Sequence, residues 1–198
     1  KGQKLQLEVL EKALTSAGDD LISLKSILNS LNGCFAIVFK KNDFTVAAVD
    51  LSRSIPILFS KEQIYTLGNE AVYANNEIDV EQVDGLRNVE FVQNDATFLK
   101  GLKQLQAGEF LISKNADLTI HHYFSHNRSE KSISFDAAKT EFKKICDALG
   151  EKLISDLEGR KALIPLSGGY DSRFILALLV DKGYENISAF TYGQKTGY

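Results

Sequence analysis

Ile164-Pro165-Leu166-Ser167-Gly168-Gly169-Tyr170-Asp171-Ser172-Arg173 joins a short apolar run to a strongly apolar helical pattern. Residues 161–166 form a run of the kind that makes a buried parallel strand, with Pro165 tolerated only near the strand's end. Downstream, Phe174, Ile175, Leu178 and Leu179 recur at helical spacing, and Ala177 and Val180 thicken that stripe. After the turn Lys182-Gly183-Tyr184, Asn186-Ile187-Ser188-Ala189-Phe190-Thr191-Tyr192 predicts a second strand. The order strand, glycine loop, helix, strand suits an anion. A helix N-terminus offers unpaired N–H groups and the positive end of a dipole, and glycine lets a phosphate approach the backbone.

The loop matches neither GxxxxGK[ST] nor GxGxxG, which sets aside the P-loop and dinucleotide fingerprints. It does match Ser-Gly-Gly-x-Asp-Ser, and so resembles the pyrophosphate-binding loop of the ATP pyrophosphatase superfamily. Members of that superfamily cleave ATP between its α and β phosphates and form an acyl-adenylate. The resemblance implies ATP and pyrophosphate contacts from Leu166, Ser167, Gly168, Gly169, Asp171 and Ser172, with hydroxyl donors from Ser167 and Ser172. Asp171, too negative to bind phosphate directly, would help hold Mg²⁺ or fix the turn. Phe190-Thr191-Tyr192-Gly193 resembles the Phe-x-Val-Gly strand end whose backbone meets adenine, which adds Tyr192 as a residue that stacks on the base or blocks it. Arg173 stands where a Ser is usual; either it contacts pyrophosphate or the substrate carboxylate, or it points to solvent or a nearby acid. The competing structural reading is an ordinary strand-to-helix turn in which Gly168-Gly169 merely makes the bend.

The 198-residue chain has the composition of globular material, 44% hydrophobic and 25% charged, and is long enough for one large domain or parts of two. A net charge of −3 leaves no basic footprint for nucleic acid, and no Lys/Arg run suggests a membrane surface. Cys34 and Cys146 show no metal-binding spacing and are expected as buried free thiols. With no apolar run of ~20 residues and no signal peptide, a cytoplasmic protein is predicted. The chain has no Met, opens on Lys1 into a helical pattern and stops just past a strand, so a fragment of a longer protein is expected.

Leu7, Leu10 and Leu14, then Leu21, Leu24, Leu28 and Leu31, predict two amphipathic helices broken at Ser16-Ala17-Gly18-Asp19. Alternating segments follow: 34–39 with 44–49, 57–60 with 64–67, and 108–113 with 118–124 predict three hairpins of an antiparallel sheet. Residues 68–105 mix polar turns with the apolar runs 89–92 and 96–99 and define no clear element. The acidic stretch 77–81 reads as solvated surface. Polar residues 125–131 are the best linker; Ser134 then caps a helix with an apolar stripe of Phe142, Ile145, Leu149, Leu153 and Leu157. His121 and His122 point to opposite faces of a strand, so a metal shared with His126 is disfavoured. Asp50 and Arg53 read as a turn-stabilising pair rather than a site.

An antiparallel domain followed by Ser-Gly-Gly-x-Asp-Ser is the order found in the glutamine-dependent asparagine synthetase family. Leu31-Asn32-Gly33-Cys34-Phe35-Ala36 is similar to that family's Leu-x-Gly-x-Phe-Ala strand, and Asp50 and Pro56 sit like the Asp and Pro of its Arg-Asp-x-x-Gly-x-x-Pro-Leu segment. Gly68-Asn69-Glu70 resembles its Ala-Ser-Glu, and Leu105-Gln106-Ala107-Gly108-Glu109 with Tyr123-Phe124 resembles its Pro-x-Gly and aromatic exit. The resemblance implies an α+β glutaminase-like (class II amidotransferase, N-terminal nucleophile) domain over 1–128. The start of an α/β parallel-sheet ATP pyrophosphatase domain would occupy 129–198. It also implies an ATP- and Mg²⁺-dependent amide-forming ligase acting on a small-molecule or peptide carboxylate, with glutamine or ammonia as a nitrogen source, and it permits a homodimer. Departures accompany the matches. The family hydrolyses glutamine with an N-terminal Cys, a role assigned neither to Lys1 nor to Cys34 or Cys146, and Val49 replaces the usual Arg before Asp50. The fragment by itself is expected to be inactive. Alternatives are a ligase resembling β-lactam synthetases or lasso-peptide cyclases, with an inert glutaminase-like domain, and a non-catalytic nucleotide-binding homologue.

Overall fold

In the computed structural model the leucine stripes of the first thirty residues form two helices, α1 (Leu7–Ala17) and α2 (Leu21–Ser30). Gly18, with φ 55°, ends the first, and the Asp20 carboxylate caps the second by accepting the Ser23 N–H at 2.9 Å. The structure describes residues 7–61, 63–66, 77–115, 117–125 and 132–191. Residues 68–70, His126, Tyr192 and most of the polar stretch 125–131 therefore lie outside it. The chain divides into two units, Lys1–Asn127 and Arg128–Tyr198.

In the first unit the strands are β1 (Ala36–Lys41), β2 (Phe44–Val49), β3 (Ile57–Phe59), β4 (Ile64–Thr66), β5 (Lys103–Gln104), β6 (Glu109–Lys114) and β7 (Asp117–His122). They build a four-stranded antiparallel sheet in the order β1-β2-β6-β7 and a three-stranded sheet in the order β4-β3-β5. Two-residue turns close the β1–β2 and β6–β7 hairpins, with Asn42 at φ 55° and Asn115 at φ 52°, the left-handed conformation that Asn tolerates. Residues 46–49 are all fully buried because β2 is covered on both faces. Val46 and Ala48 join Phe110, Ile112 and Tyr123 against Leu10, Leu14, Leu24 and Leu28 of the helices. Ala47, Val49 and Leu111 face Ile57, Phe59 and Leu105 of the second sheet and its flank. This unit is an α+β arrangement of helices, sheet and sheet.

Three expectations change here. Residues 80–89 form a helix, α3 (Val80–Val89), whose N-cap is Asp79, its carboxylate accepting the Gln82 N–H at 3.2 Å. The acidic stretch 77–81 is surface as expected, with Ile78 62% and Val80 63% exposed, and it also contains a helix start, marked by Asp79 spaced three residues from Gln82. Cys34 precedes β1 and is exposed, and Cys146 is half-buried, so neither thiol is in a packed core. The strand begins two residues later than its apolar pattern suggested, because pairing with β2 starts at Ala36↔Val49.

In the second unit Ser134 caps α4 (Phe135–Leu157), its hydroxyl accepting the Ala137 N–H at 3.2 Å. β8 (Ala162–Pro165), α5 (Tyr170–Asp181) and β9 (Ile187–Phe190) follow, and β8 pairs with β9 in parallel, Ala162↔Ile187 through Pro165↔Phe190. Leu153 and Leu157 of α4 pack with Ala162, Ile164, Leu179, Ile175 and Ile187. The apolar stripe of α4 is buried only at this end; Phe142 and Ile145 are 59% and 64% exposed. β8 is likewise covered on one face only, with Leu163 on the other 65% exposed, so the two-faced burial expected of a parallel strand is absent among the described residues. Lys182 joins α5 to α4 by a 2.8 Å contact with Asp147, its stem lying over Gly150. No helix among the described residues is long and apolar enough to cross a membrane.

Candidate functional site

β8 ends where its Pro has no N–H to offer, and Leu166 closes the strand by donating its N–H to Phe190 O at 2.7 Å. The Leu166 side chain packs beside the buried cluster of this unit, so it anchors the loop and presents no N–H to a ligand. Gly169 is the N-cap of α5 and, lacking a side chain, makes no cap hydrogen bond. The first N–H groups of the helix, at Tyr170, Asp171 and Ser172, have no intrahelical acceptor by geometry and point out of its N-terminus. Asp171 lies in the first turn, where a carboxylate is favoured by the helix dipole.

The two serines close the loop on itself. Ser172 Oγ accepts the Ser167 N–H at 3.1 Å and lies 3.2 Å from Ser167 Oγ, which in turn accepts the Gly169 N–H at 3.1 Å. Whichever hydroxyl donates across the 3.2 Å contact, the other keeps its hydrogen for a ligand. Arg173 is exposed and turns back onto the loop. Its Nη2 donates to the Gly168 carbonyl, and its guanidinium lies over the Tyr170 ring, 5.7 Å from the centroid.

The glycines bear on whether the loop is only a bend. Neither Gly168 nor Gly169 has a positive φ, and Gly169 sits at φ −80°, ψ 168°, a conformation open to any residue. Among the described residues a Cβ on Gly168 would meet nothing within 4 Å, and one on Gly169 would meet only Ser167 Oγ, at 3.3 Å. The described residues therefore give neither a conformational nor a steric reason for glycine at 168.

No family model matches this chain, and neither does any curated protein. The loop's own chemistry carries the functional argument.

The first unit holds the remaining candidates. Asp50 is 3% exposed and gathers donors from a tight turn: the N–H groups of Phe35 at 3.0 Å, Ser52 at 2.8 Å and Ser54 at 3.1 Å, and the Ser54 hydroxyl at 3.2 Å. Burial pushes its carboxyl up, but these hydrogen bonds outweigh burial and hold it below the ordinary value. Arg53 contributes backbone, donating its N–H to Asp50 O at 3.0 Å with φ 50°. The turn-stabilising assignment holds, with the pairing made by amides rather than by charge. Tyr123 donates its hydroxyl to Val49 O at 2.8 Å, and burial, then the nearby Asp50 charge, pushes its pKa up to about 12.

His121 packs on Phe110 with ring centroids 5.3 Å apart, whereas His122 reaches Glu109 at 3.4 Å. Burial and then the Lys25 charge lower the His121 pKa. The two rings serve different neighbours, and no group of three or more potential metal ligands occurs among the described residues. The open cleft of about 520 Å³ beside Asp19, Lys114 and His121 is crossed by a Lys114–Asp19 ion pair at 2.5 Å and is also lined by Leu21, the first residue of α2.

Proposed function

We propose that this protein is an ATP-dependent, amide-forming ligase resembling the glutamine-dependent asparagine synthetases, and that residues 167–172 receive the pyrophosphate of ATP. The observation that carries the proposal is the glycine at 168, which the local backbone does not require, on a loop between a parallel strand and a helix N-terminus. Oriented N–H groups at Tyr170, Asp171 and Ser172 and one hydroxyl hydrogen from the Ser167–Ser172 pair then stabilise charge on the leaving group. The ends of β8 and β9 lie side by side at Pro165↔Phe190, so ATP would lie across that edge, as ligands do in parallel α/β sheets. Tyr192, at the adenine end in this proposal, follows directly on that edge in sequence.

In the proposed reaction a substrate carboxylate oxygen attacks the α-phosphorus of ATP. The bond from that phosphorus to the bridging oxygen breaks, and pyrophosphate leaves. An amine or ammonia then attacks the acyl carbon, loses a proton and displaces AMP, forming the amide. Asp171 offers one exposed carboxylate, which fits an ion bound chiefly by phosphate oxygens and water rather than by a protein cage. Mg²⁺, when bound, would neutralise charge on the phosphates.

The first unit adds support of a different kind. In the pattern Arg-Asp-x-x-Gly-x-x-Pro, anchored on Asp50 and Pro56, the Gly falls at Arg53, and Arg53 has φ 50°, a conformation glycine adopts most cheaply. Exchange of labelled pyrophosphate into ATP by the full-length protein, with candidate carboxylates, tests the assignment. Exchange that falls in Ser167→Ala and Asp171→Asn is expected; equal exchange in wild type and both variants would make the loop a turn and nothing more.

A further inference from the structure

We propose that Arg173 is a positioning residue of the pyrophosphate loop, acting with Tyr170 to fix the Gly168–Gly169 peptide, and that it does not touch the anion. This rests on the assignment of residues 167–172 to pyrophosphate. The Gly168–Gly169 peptide is held from both of its ends. Its carbonyl accepts from Arg173 Nη2, and its N–H donates to Ser167 Oγ at 3.1 Å. Among the described residues, these two hydrogen bonds are what holds that peptide, since the adjacent glycines lack a positive φ and meet little or no steric contact.

Rotation would matter at this position. A carbonyl turned toward the anion would repel it, while the held orientation turns that carbonyl to a cation and leaves the helix N–H groups unopposed. The guanidinium is suited to the task because it is planar: it donates in its plane to Gly168 O and offers its face to the Tyr170 ring, 5.7 Å away. Tyr170 is 86% exposed and occupies the variable place of the Ser-Gly-Gly-x-Asp-Ser pattern, so packing against the core does not explain its large ring. A cation in the first turn of a helix is otherwise unfavourable, and the Gly168 carbonyl offsets that.

Titration calorimetry with inorganic pyrophosphate on the full chain, with melting curves to verify that each variant is folded, separates positioning from contact. Arg173→Gln is expected to weaken pyrophosphate binding by about tenfold, the scale of one charge-assisted hydrogen bond. Arg173→Lys, which keeps the charge but not the plane, should be no better. Tyr170→Leu should weaken binding as well, and Tyr170→Leu with Arg173→Gln should be no worse than Arg173→Gln alone, because both act through one peptide. Wild-type affinity in Arg173→Lys together with a neutral Tyr170→Leu would identify a direct phosphate contact and overturn the positioning role. Wild-type affinity in Arg173→Gln would overturn it as well, by showing that the guanidinium neither positions the loop nor contacts the anion. Failure of the wild-type chain itself to bind pyrophosphate would instead remove the assignment of the loop, and this inference with it.

Discussion

The side-chain oxygens of Ser167 and Ser172 lie 3.2 Å apart, and Ser172 Oγ also accepts the Ser167 N–H at 3.1 Å. The two serines form one unit, so their deletions will not add. Ser167→Ala and Ser172→Ala are each expected to cost roughly 1–3 kcal/mol of pyrophosphate binding, and the double variant clearly less than the sum. Calorimetric titration of all three gives the coupling; strict additivity would show that the serines act independently.

Asp50 organises the turn of residues 50–54 from a buried position, and its loss leaves several N–H groups without an acceptor. Asp50→Ala is expected to lower stability by about 2–4 kcal/mol in urea unfolding at neutral pH. The folded carboxyl titrates below its ordinary value, so its stabilisation is complete above 3.8 and is lost as pH falls through the lower folded value. The stability gap between wild type and Asp50→Asn should therefore shrink on acidification to about pH 2. A gap that stays constant would contradict the ionised, hydrogen-bonded carboxylate.

Tyr123 provides the opposite sign at the alkaline end. Its hydroxyl titrates near 12 in the fold against 10.0 ordinarily, so the unfolded chain releases its proton first and stability falls as pH rises between those values. The loss amounts to about 2–3 kcal/mol from this group. Tyr123→Phe is expected to cost about 1 kcal/mol at neutral pH through the lost bond to Val49 O, and to lack that alkaline component. Denaturant melts of both proteins across this range would show it; parallel pH profiles would rule it out.

Gly108 is required by both its backbone and its neighbours. It has φ 74°, and a Cβ there would come within 2.8 Å of Phe124 O. Gly101 has a similar φ of 71°, but among the described residues nothing lies within 4 Å of a Cβ there. Gly108→Ala should destabilise by about 2–4 kcal/mol and Gly101→Ala by only about 1 kcal/mol, since the second pays backbone strain alone. Equal melting-temperature losses in the two variants would mean that the contact with Phe124 yields freely.

Much of the fold was legible where the determining interactions are local. The leucine spacing of the first thirty residues marks α1 and α2, and alternation marks the hairpins of β1 with β2, β3 with β4 and β6 with β7. The order strand, loop, helix, strand around residues 162–190 follows from the same periodicities. The helix at residues 80–89 sets Val80, Val83, Leu86 and Val89 at three-residue spacing behind the Asp79 cap, a pattern that its interior Gly85 obscures.

By itself the sequence determined the local conformations and the chemical kit of the loop: two hydroxyls, a carboxylate, a guanidinium and two glycines between a strand and a helix. It could not determine that β2 lies against β6, or β3 against β5, because pairing across tens of residues depends on which faces meet and not on period. The three-dimensional arrangement alone settles that Arg173 bonds the Gly168 carbonyl, that Asp50 is satisfied by amides, and that glycine at 168 answers no demand of the described backbone. The physical reason is common to all three: a side chain's partner is set by three-dimensional distance and rotamer, and spacing along the chain limits that choice without making it.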